Sequence, residues 1–127
     1  MSPRFLTSSE LPPPGGAYSH LTVAHGLVFT AGFGPQDPAT GLIPEGISAQ
    51  TEVTLRNVER ALSEVGLGLA DVVKVTAHLA RLEADFAGFN STYERVFSQP
   101  YPVRTTVGSQ LLNILVEIDV VAAEGDS

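Results

Sequence analysis

Two segments near the C-terminus alternate between apolar and polar residues with a period of two, as strands with one buried face do. In residues 102–107 the valines fall on one face, and Arg104 and Thr106 fall on the other. In residues 115–120 the valines and the isoleucine share one face, and Glu117 points the opposite way. If the loop between the segments closes a symmetric hairpin, Arg104 lies opposite Glu117. The pair is then either an exposed ion pair, worth under about 1 kcal/mol, or two ionised groups within reach of one small molecule.

Three more segments have strand patterns. Residues 18–24 and 27–31 flank a His-Gly pair, which predicts a hairpin with a tight turn. Residues 72–79 are β-branched and apolar with two polar interruptions, and they predict a strand buried on at least one face. Residues 1–16 end in three prolines and two glycines, so we expect an extended arm there.

Two segments have helical periodicity. Ser48 is the expected N-cap of a helix over residues 49–65 that ends at Gly66. Asp85 is the expected N-cap of a second helix, which must end before Pro100. The predicted buried stripes are Leu55, Val58, Leu62 and Val65 in the first helix, and Phe86, Phe89, Tyr93 and Val96 or Phe97 in the second. Asn90 of the second helix is interpreted either as a surface residue or as an amide directed at the sheet end where Arg104 emerges.

The order of these elements is strand, strand, helix, strand, helix, strand, strand. This order predicts one α+β domain over residues 1–127, with two helices packed on one face of a mixed sheet. Two helices cover only one face, and the opposite face is expected to carry Thr76 and Thr106 among apolar neighbours. Since small sheets avoid leaving such a surface exposed, further copies of the chain are expected to cover this face.

Composition narrows the function classes. The net charge of −7 and the lack of a basic cluster argue against a nucleic-acid partner. With zero cysteines, disulfides, a thiolate nucleophile and cysteine-ligated zinc are excluded. The three histidines lack metal-ligand spacing, so we expect no metal site and interpret each histidine as hydrogen-bonded or merely exposed. We expect no membrane association and a cytoplasmic protein, because no apolar run or signal peptide is evident.

Seven short segments, in order, resemble the YjgF/Rid family of reactive-intermediate (enamine/imine) deaminases. The resemblance runs from about Gly16 to Ala122, and the Asp-Pro-x-Thr-Gly turn together with the Pro-x-Arg strand start is its most specific part. The segments are Tyr18-Ser19-His20, Val28-Phe29-Thr30-Ala31-Gly32, Asp37-Pro38-Ala39-Thr40-Gly41, Asp71-Val72-Val73-Lys74-Val75-Thr76, Phe86-Ala87-Gly88-Phe89-Asn90-Ser91-Thr92-Tyr93, Pro102-Val103-Arg104-Thr105 and Val116-Glu117-Ile118.

This resemblance implies a fold like that of chorismate mutase, with a six-stranded mixed sheet and two helices. It also implies a barrel-like homotrimer with sites in the clefts between subunits. The implied reaction is hydrolysis of 2-imino acids such as 2-iminopropionate and 2-iminobutyrate, giving a 2-oxo acid and ammonia. No cofactor is expected, because the imine carbon is already electrophilic.

By the same resemblance, Arg104 corresponds to the arginine that holds the substrate carboxylate, a task for which a planar, permanently ionised guanidinium is suited. Glu117 corresponds to the glutamate that positions the attacking water. The implied substrate-binding residues are Tyr18, Gly32, Phe33, Asn90, Arg104 and Thr106.

The chain departs from the family pattern around the implied cleft. Ala31 stands where a serine is usual, Phe33 where glutamine is frequent, and Thr106 where cysteine is frequent. The loop at residues 110–114 lacks a Leu-Pro-Lys segment and is about two residues shorter. These changes make the expected pocket more apolar. Two alternatives therefore stay open: a related hydrolase acting on another small carboxylate, and a non-catalytic module that binds small 2-oxo acids.

Overall fold

The computed structural model describes residues 2–125. All six of its strands join one sheet in the order β1-β2-β3-β6-β4-β5. The β4–β5 pair is parallel and the other pairs are antiparallel, so the sheet is mixed. The elements are β1 (Arg4–Leu6), β2 (Leu21–Ala24), β3 (Leu27–Thr30), α1 (Ile47–Ser63), β4 (Val72–Leu79), α2 (Leu82–Val96), β5 (Val103–Gly108) and β6 (Val116–Ala123). The expected α+β class, mixed sheet and two helices are confirmed.

The hairpin between β2 and β3 forms as predicted. His25 and Gly26 both have positive φ, at 52° and 76°, which suits a two-residue hairpin turn. The N-terminal arm contains one element that the sequence pattern did not reveal, because β1 pairs with β2 through only three residues. This short edge strand supplies the sixth strand of the sheet.

Both helices pack on the same face of the sheet. Apolar side chains alternate along the neighbouring strands β4 and β6, and every second residue of β4 from Val75 to Leu79 is buried. Their partners on β6 are buried as well. The core between sheet and helices includes Val75, Ala77, Leu79, Val116, Ile118, Val120, Leu55, Val58, Leu62, Phe89 and Tyr93. We call the other side of the sheet, which bears Thr76, His78, Glu117 and Asp119, the open face.

The two predicted N-caps are wrong. Helix α1 begins at Ile47 after Gly46, whose φ of 88° is left-handed, so Ser48 lies inside the first turn. Helix α2 begins at Leu82, and Asp85 lies in its first turn, where it accepts hydrogen bonds from Arg81. In both cases the preceding loop sets the start of the helix, and no side chain caps it.

The predicted hairpin between the last two strands is also wrong. Strand β4 lies between them, with Arg104 paired to Val75 and Glu117 paired to His78. Paired residues share a face, so Arg104 lies on the helix-covered side and Glu117 lies on the open face. The two side chains therefore form no cross-strand ion pair. The hairpin expectation assumed that consecutive strands are neighbours, whereas the more apolar β6 takes the central position.

The faces of β5 are the reverse of those expected from its pattern. Val103 and Val107 are 66% and 37% exposed, because they lie on the open face at the edge of the sheet. Thr106 pairs with Ala77 and lies on the helix side, so its predicted place on the open face is wrong. Thr76 does lie on the open face, as expected. Within residues 2–125, neither helix has the length and apolar character needed to cross a membrane.

Candidate functional site

The predicted site residues divide between two cavities. Tyr18, Gly32, Phe33 and Glu117 line one of about 560 Å³, which we call the Glu117 cavity. Asn90 and Arg104 line another of about 330 Å³, which we call the Arg104 cavity. Thr106 lines neither of them, although it shares the helix-covered face of β5 with Arg104.

Gly32 allows the backbone to approach the carboxylate of Glu117. A Cβ atom at Gly32 would lie 2.7 Å from Glu117 Oε2, so a side chain there would displace the carboxylate. The next residue, Phe33, exchanges backbone hydrogen bonds of 2.8 and 2.9 Å with Ile118. This pair fixes the Gly32-Phe33 segment beside the start of β6. Within the part of the chain that the structure describes, no donor hydrogen-bonds to the Glu117 carboxylate and no cation pairs with it.

A buried histidine holds the N-terminal arm against the Glu117 cavity. The backbone N–H of Ser8 donates to His20 Nδ1 at 3.1 Å, and His20 Nε2 lies 2.8 Å from the carbonyl oxygen of Pro12. Since Nδ1 accepts, Nε2 must carry the proton and donate to that carbonyl, which makes the ring neutral. Pro12 itself lines the cavity, so His20 fixes part of the wall. The interpretation of His20 as a hydrogen-bonded histidine is confirmed.

Arg104 is held by helix α2. Its Nη2 donates to Asn90 Oδ1 at 2.8 Å, which confirms that Asn90 is directed at Arg104. The guanidinium carbon also lies 4.5 Å from the ring centroid of Tyr93 and 5.2 Å from that of Phe89. Such distances are typical of cation–π contacts. The sequence pattern assigned Tyr93 and Phe89 to the buried stripe of α2 and did not reveal this second contact.

The charge of Arg104 is not neutralised by its neighbours. Burial raises the pKa of Tyr93 to about 12, although the cation of Arg104 opposes this shift. Tyr93 therefore stays un-ionised near neutral pH and supplies a ring rather than a negative charge. Asn90 is also uncharged, and no carboxylate of residues 2–125 lies within ion-pair distance of Arg104. The Arg104 cavity thus offers a preoriented cation, a group suited to binding a carboxylate.

The two cavities offer different functional groups. Among residues 2–125, no group of three or more histidine, aspartate and glutamate side chains is placed to hold a metal ion. One cavity offers a carboxylate beside backbone and aromatic groups, and the other offers a guanidinium held by an amide and aromatic rings. Because these groups lie on opposite faces of the sheet, one chain does not bring them to the same small molecule.

The matches of this sequence to known proteins agree on one family. A family model described as endoribonuclease L-PSP matches residues 8–124. The 2-iminobutanoate/2-iminopropanoate deaminase of Salmonella typhimurium is 33% identical over 122 residues, which cover 92% of this chain and 94% of that relative. A RutC family protein of Pyrococcus abyssi is 36% identical over 125 residues, covering 96% of this chain and 98% of the relative.

Solved structures agree with the sequence matches. The structure of E. coli TdcF with bound serine superposes with a TM-score of 0.89 at 29% identity, covering 96% of this chain and 99% of that one. The YjgF gene product of E. coli superposes with a TM-score of 0.88 at 29% identity over the same shares of both chains. This chain therefore belongs to the endoribonuclease L-PSP family, which includes the YjgF, RutC and reactive intermediate deaminase proteins.

Proposed function

We propose that the protein hydrolyses 2-imino acids, such as 2-iminopropionate and 2-iminobutyrate, to 2-oxo acids and ammonia. The observation that carries this proposal is the uncompensated guanidinium of Arg104, which is preoriented by Asn90 and aromatic rings. A cation held in this way matches the carboxylate that every 2-imino acid carries. The name and identity of the Salmonella relative support the same reaction.

The proposed site forms between copies of the chain. Arg104 and Glu117 lie on opposite faces of one sheet, so a molecule that contacts both must lie between two chains. We place Arg104, Asn90 and Thr106 of one copy against Tyr18, Gly32, Phe33 and Glu117 of the next. A heterologous contact of this kind forms a ring when the rotation between copies closes, and closure after three copies gives the homotrimer that the resemblance implies.

Within this site each residue has a separate task. Arg104 binds the substrate carboxylate with two charge-assisted hydrogen bonds and thereby fixes the imine carbon. Glu117, whose carboxylate lacks a partner in the described chain, accepts a proton from a water as the water oxygen bonds to that carbon. The C=N π electrons move to nitrogen, giving a tetrahedral carbinolamine. Return of this proton to nitrogen, followed by transfer of the hydroxyl proton through Glu117 to the same nitrogen, lets the C–N bond break. Ammonia leaves with the C–N electrons as the O–H electrons form the C=O bond of the 2-oxo acid.

The family description does not lead us to propose ribonuclease activity. A net charge of −7 disfavours contact with a phosphate backbone. The expectations of no nucleic-acid partner and no cofactor stay predictions.

Ammonia release from freshly generated 2-iminobutyrate tests the proposal. The parent should release ammonia faster than the uncatalysed hydrolysis, and Glu117→Gln should lower kcat by roughly a hundredfold, within the range of a general base. Binding of 2-oxobutyrate should survive in Glu117→Gln, because Arg104 is unchanged. Binding without turnover in the parent would instead support the non-catalytic module, and an unchanged kcat in the variant would remove Glu117 from the mechanism.

A further inference from the structure

Helix α1 carries two buried side-chain amides, of Gln50 and Asn57, that hydrogen-bond to loops outside the helix. Gln50, only 6% exposed, bridges two loops. Its Nε2 donates to the carbonyl oxygen of Pro44 at 3.0 Å, and its Oε1 accepts from the backbone N–H of Leu115 at 2.8 Å. One side chain thereby ties the loop before α1 to the loop before β6.

Asn57, two turns further along α1, makes a similar connection. Its Nδ2 donates to the carbonyl oxygens of Gly34 and Gln36 at 3.0 and 2.8 Å. Its Oδ1 accepts from Arg60 Nη1 at 3.0 Å, and the side chain is fully buried. Both Nδ2 hydrogens of Asn57 are therefore donated to the loop before α1, and its Oδ1 accepts a hydrogen bond as well.

The same two loops form a wall of the Glu117 cavity. Gly34, Gln36 and Ile114 all line it, and Leu115 precedes Glu117 by two residues. The loops also touch each other, since a Cβ atom at Gly34 would lie 3.0 Å from Ile114 Cδ1. A shift of either loop would change the space in front of the Glu117 carboxylate.

We infer that Gln50 and Asn57 are positioning residues that fix this wall and so set how the Glu117 cavity receives its ligand. The inference rests on the proposed function for its catalytic consequence, but its structural part stands on the hydrogen bonds alone. The rival explanation is that the two amides only anchor helix to loop and contribute stability without shaping the cavity.

Helix α1 itself provides a matched control. Thr54 lies between the two amides and is fully buried, yet its Oγ1 has no hydrogen-bond partner in the described chain. Thr54→Val therefore alters a buried polar side chain of the same helix without releasing a loop. Gln50→Met and Asn57→Leu replace the amides by apolar side chains of similar size.

The experiment compares the three variants by amide hydrogen exchange, 2-oxobutyrate affinity and imine-hydrolysis kinetics. The backbone N–H groups of Phe33 and Asp37 report on the wall, because they donate to the carbonyl oxygens of Ile118 and Leu42 and not to the side chain of Gln50 or Asn57. In Gln50→Met and Asn57→Leu we expect exchange at these amides to quicken roughly tenfold, with KM and the 2-oxobutyrate Kd raised about three- to tenfold and kcat changed less. Thr54→Val should change none of these.

A lower melting temperature with unchanged exchange, KM and Kd would overturn the inference and leave a purely structural role. If Asn57→Leu does not fold, Gln50→Met decides, and Gln50→Asn adds a variant that keeps the amide but shortens its reach. If the parent fails to hydrolyse imines, the proposed function fails. Exchange and 2-oxobutyrate binding then still decide whether the two amides shape the cavity.

Discussion

The guanidinium of Arg104 donates a hydrogen bond to Asn90 and lies over aromatic rings, and no carboxylate among residues 2–125 lies within ion-pair distance of it. Lysine at this position would keep the charge but would lose the planar fork and its stacking on Tyr93. Replacing Arg104 by lysine should therefore weaken ligand binding much more than it lowers the stability of the fold.

Arg104→Lys should lower kcat/KM for imine hydrolysis about ten- to a hundredfold. A lost charge-assisted hydrogen bond costs on the order of 1.5–3 kcal/mol, which corresponds to that factor. Arg95→Lys is the control, because among residues 2–125 the ion pair of Arg95 is with Glu52 and its side chain is 63% exposed. Retained activity and 2-oxobutyrate binding with a lowered melting temperature would make Arg104 a structural residue and remove the basis of the deaminase proposal.

At the scale of single residues, the sequence identified Arg104, Glu117 and Asn90 as candidates because they belong to short motifs in a fixed order. The sequence could not show that Arg104 and Glu117 lie on opposite faces. That fact depends on β4 separating β5 from β6, which is a non-local pairing. The roles of Gln50 and Asn57 were missed because polar residues in a helix usually face solvent, and only the loops packed on α1 give these amides their partners.

At the scale of elements, the sequence pattern correctly predicted those strands and turns that depend on residues close together in the chain. Strand β4 has the predicted bounds, and the β2–β3 hairpin turns at His25 and Gly26. The start of α1 was placed two residues too late and that of α2 four residues too late, because left-handed Gly46 and the loop before Leu82 act where a side-chain cap was expected. Strand β1 has only three residues, too few for a recognisable alternation.

The crossing of the two helices supplies a stability prediction. Gly88 of α2 faces Ile47 of α1, and a Cβ atom at Gly88 would lie 2.7 Å from Ile47 Cγ2. Gly88→Ala should therefore destabilise the fold by about 1–2 kcal/mol, since overpacking outweighs the gain of up to about 1 kcal/mol in helix propensity. Urea denaturation of Gly88→Ala, Ile47→Ala and the double variant measures this effect. The double variant should be more stable than the sum of the single losses predicts, whereas strict additivity would show that the two positions do not collide.

At the scale of the whole molecule, the open face carries a polar band within an apolar surface. His78 Nδ1 lies 2.8 Å from Ser109 Oγ, and His78 Nε2 lies 4.0 Å from Asp119 Oδ2. Burial raises the pKa of Asp119, and the charges of His78 and Lys74 oppose that shift without cancelling it. Ionised Asp119 is thus less favourable in the folded chain than in the unfolded chain.

The raised pKa of Asp119 makes the stability of the fold depend on pH. The stabilising contribution of the protonated side chain is fully present below the pKa of the unfolded state, and it is lost as pH rises through the higher pKa of the folded state. Asp119→Asn should therefore raise the melting temperature more at pH ~7 than at pH ~3.5. Asp37→Asn is a control of opposite sign, because hydrogen bonds from the Thr40 and Ala39 backbone lower the pKa of Asp37. A melting-temperature difference for Asp119→Asn that does not vary with pH would contradict this assignment.

Large apolar side chains remain exposed on the open face of the single chain, including Phe5 at 67% and Phe29 at 41%. In the proposed homotrimer, further copies of the chain cover these side chains. Sedimentation equilibrium should therefore give the mass of three 13.4 kDa chains. Phe29→Glu should dissociate the trimer and abolish imine hydrolysis, although Phe29 lines neither the Glu117 cavity nor the Arg104 cavity. Leu42→Glu, at a 71% exposed position in the loop before α1, should change neither property. A parent that is a stable monomer at micromolar concentration would contradict the trimer and, with it, a site in which Arg104 of one chain meets Glu117 of another.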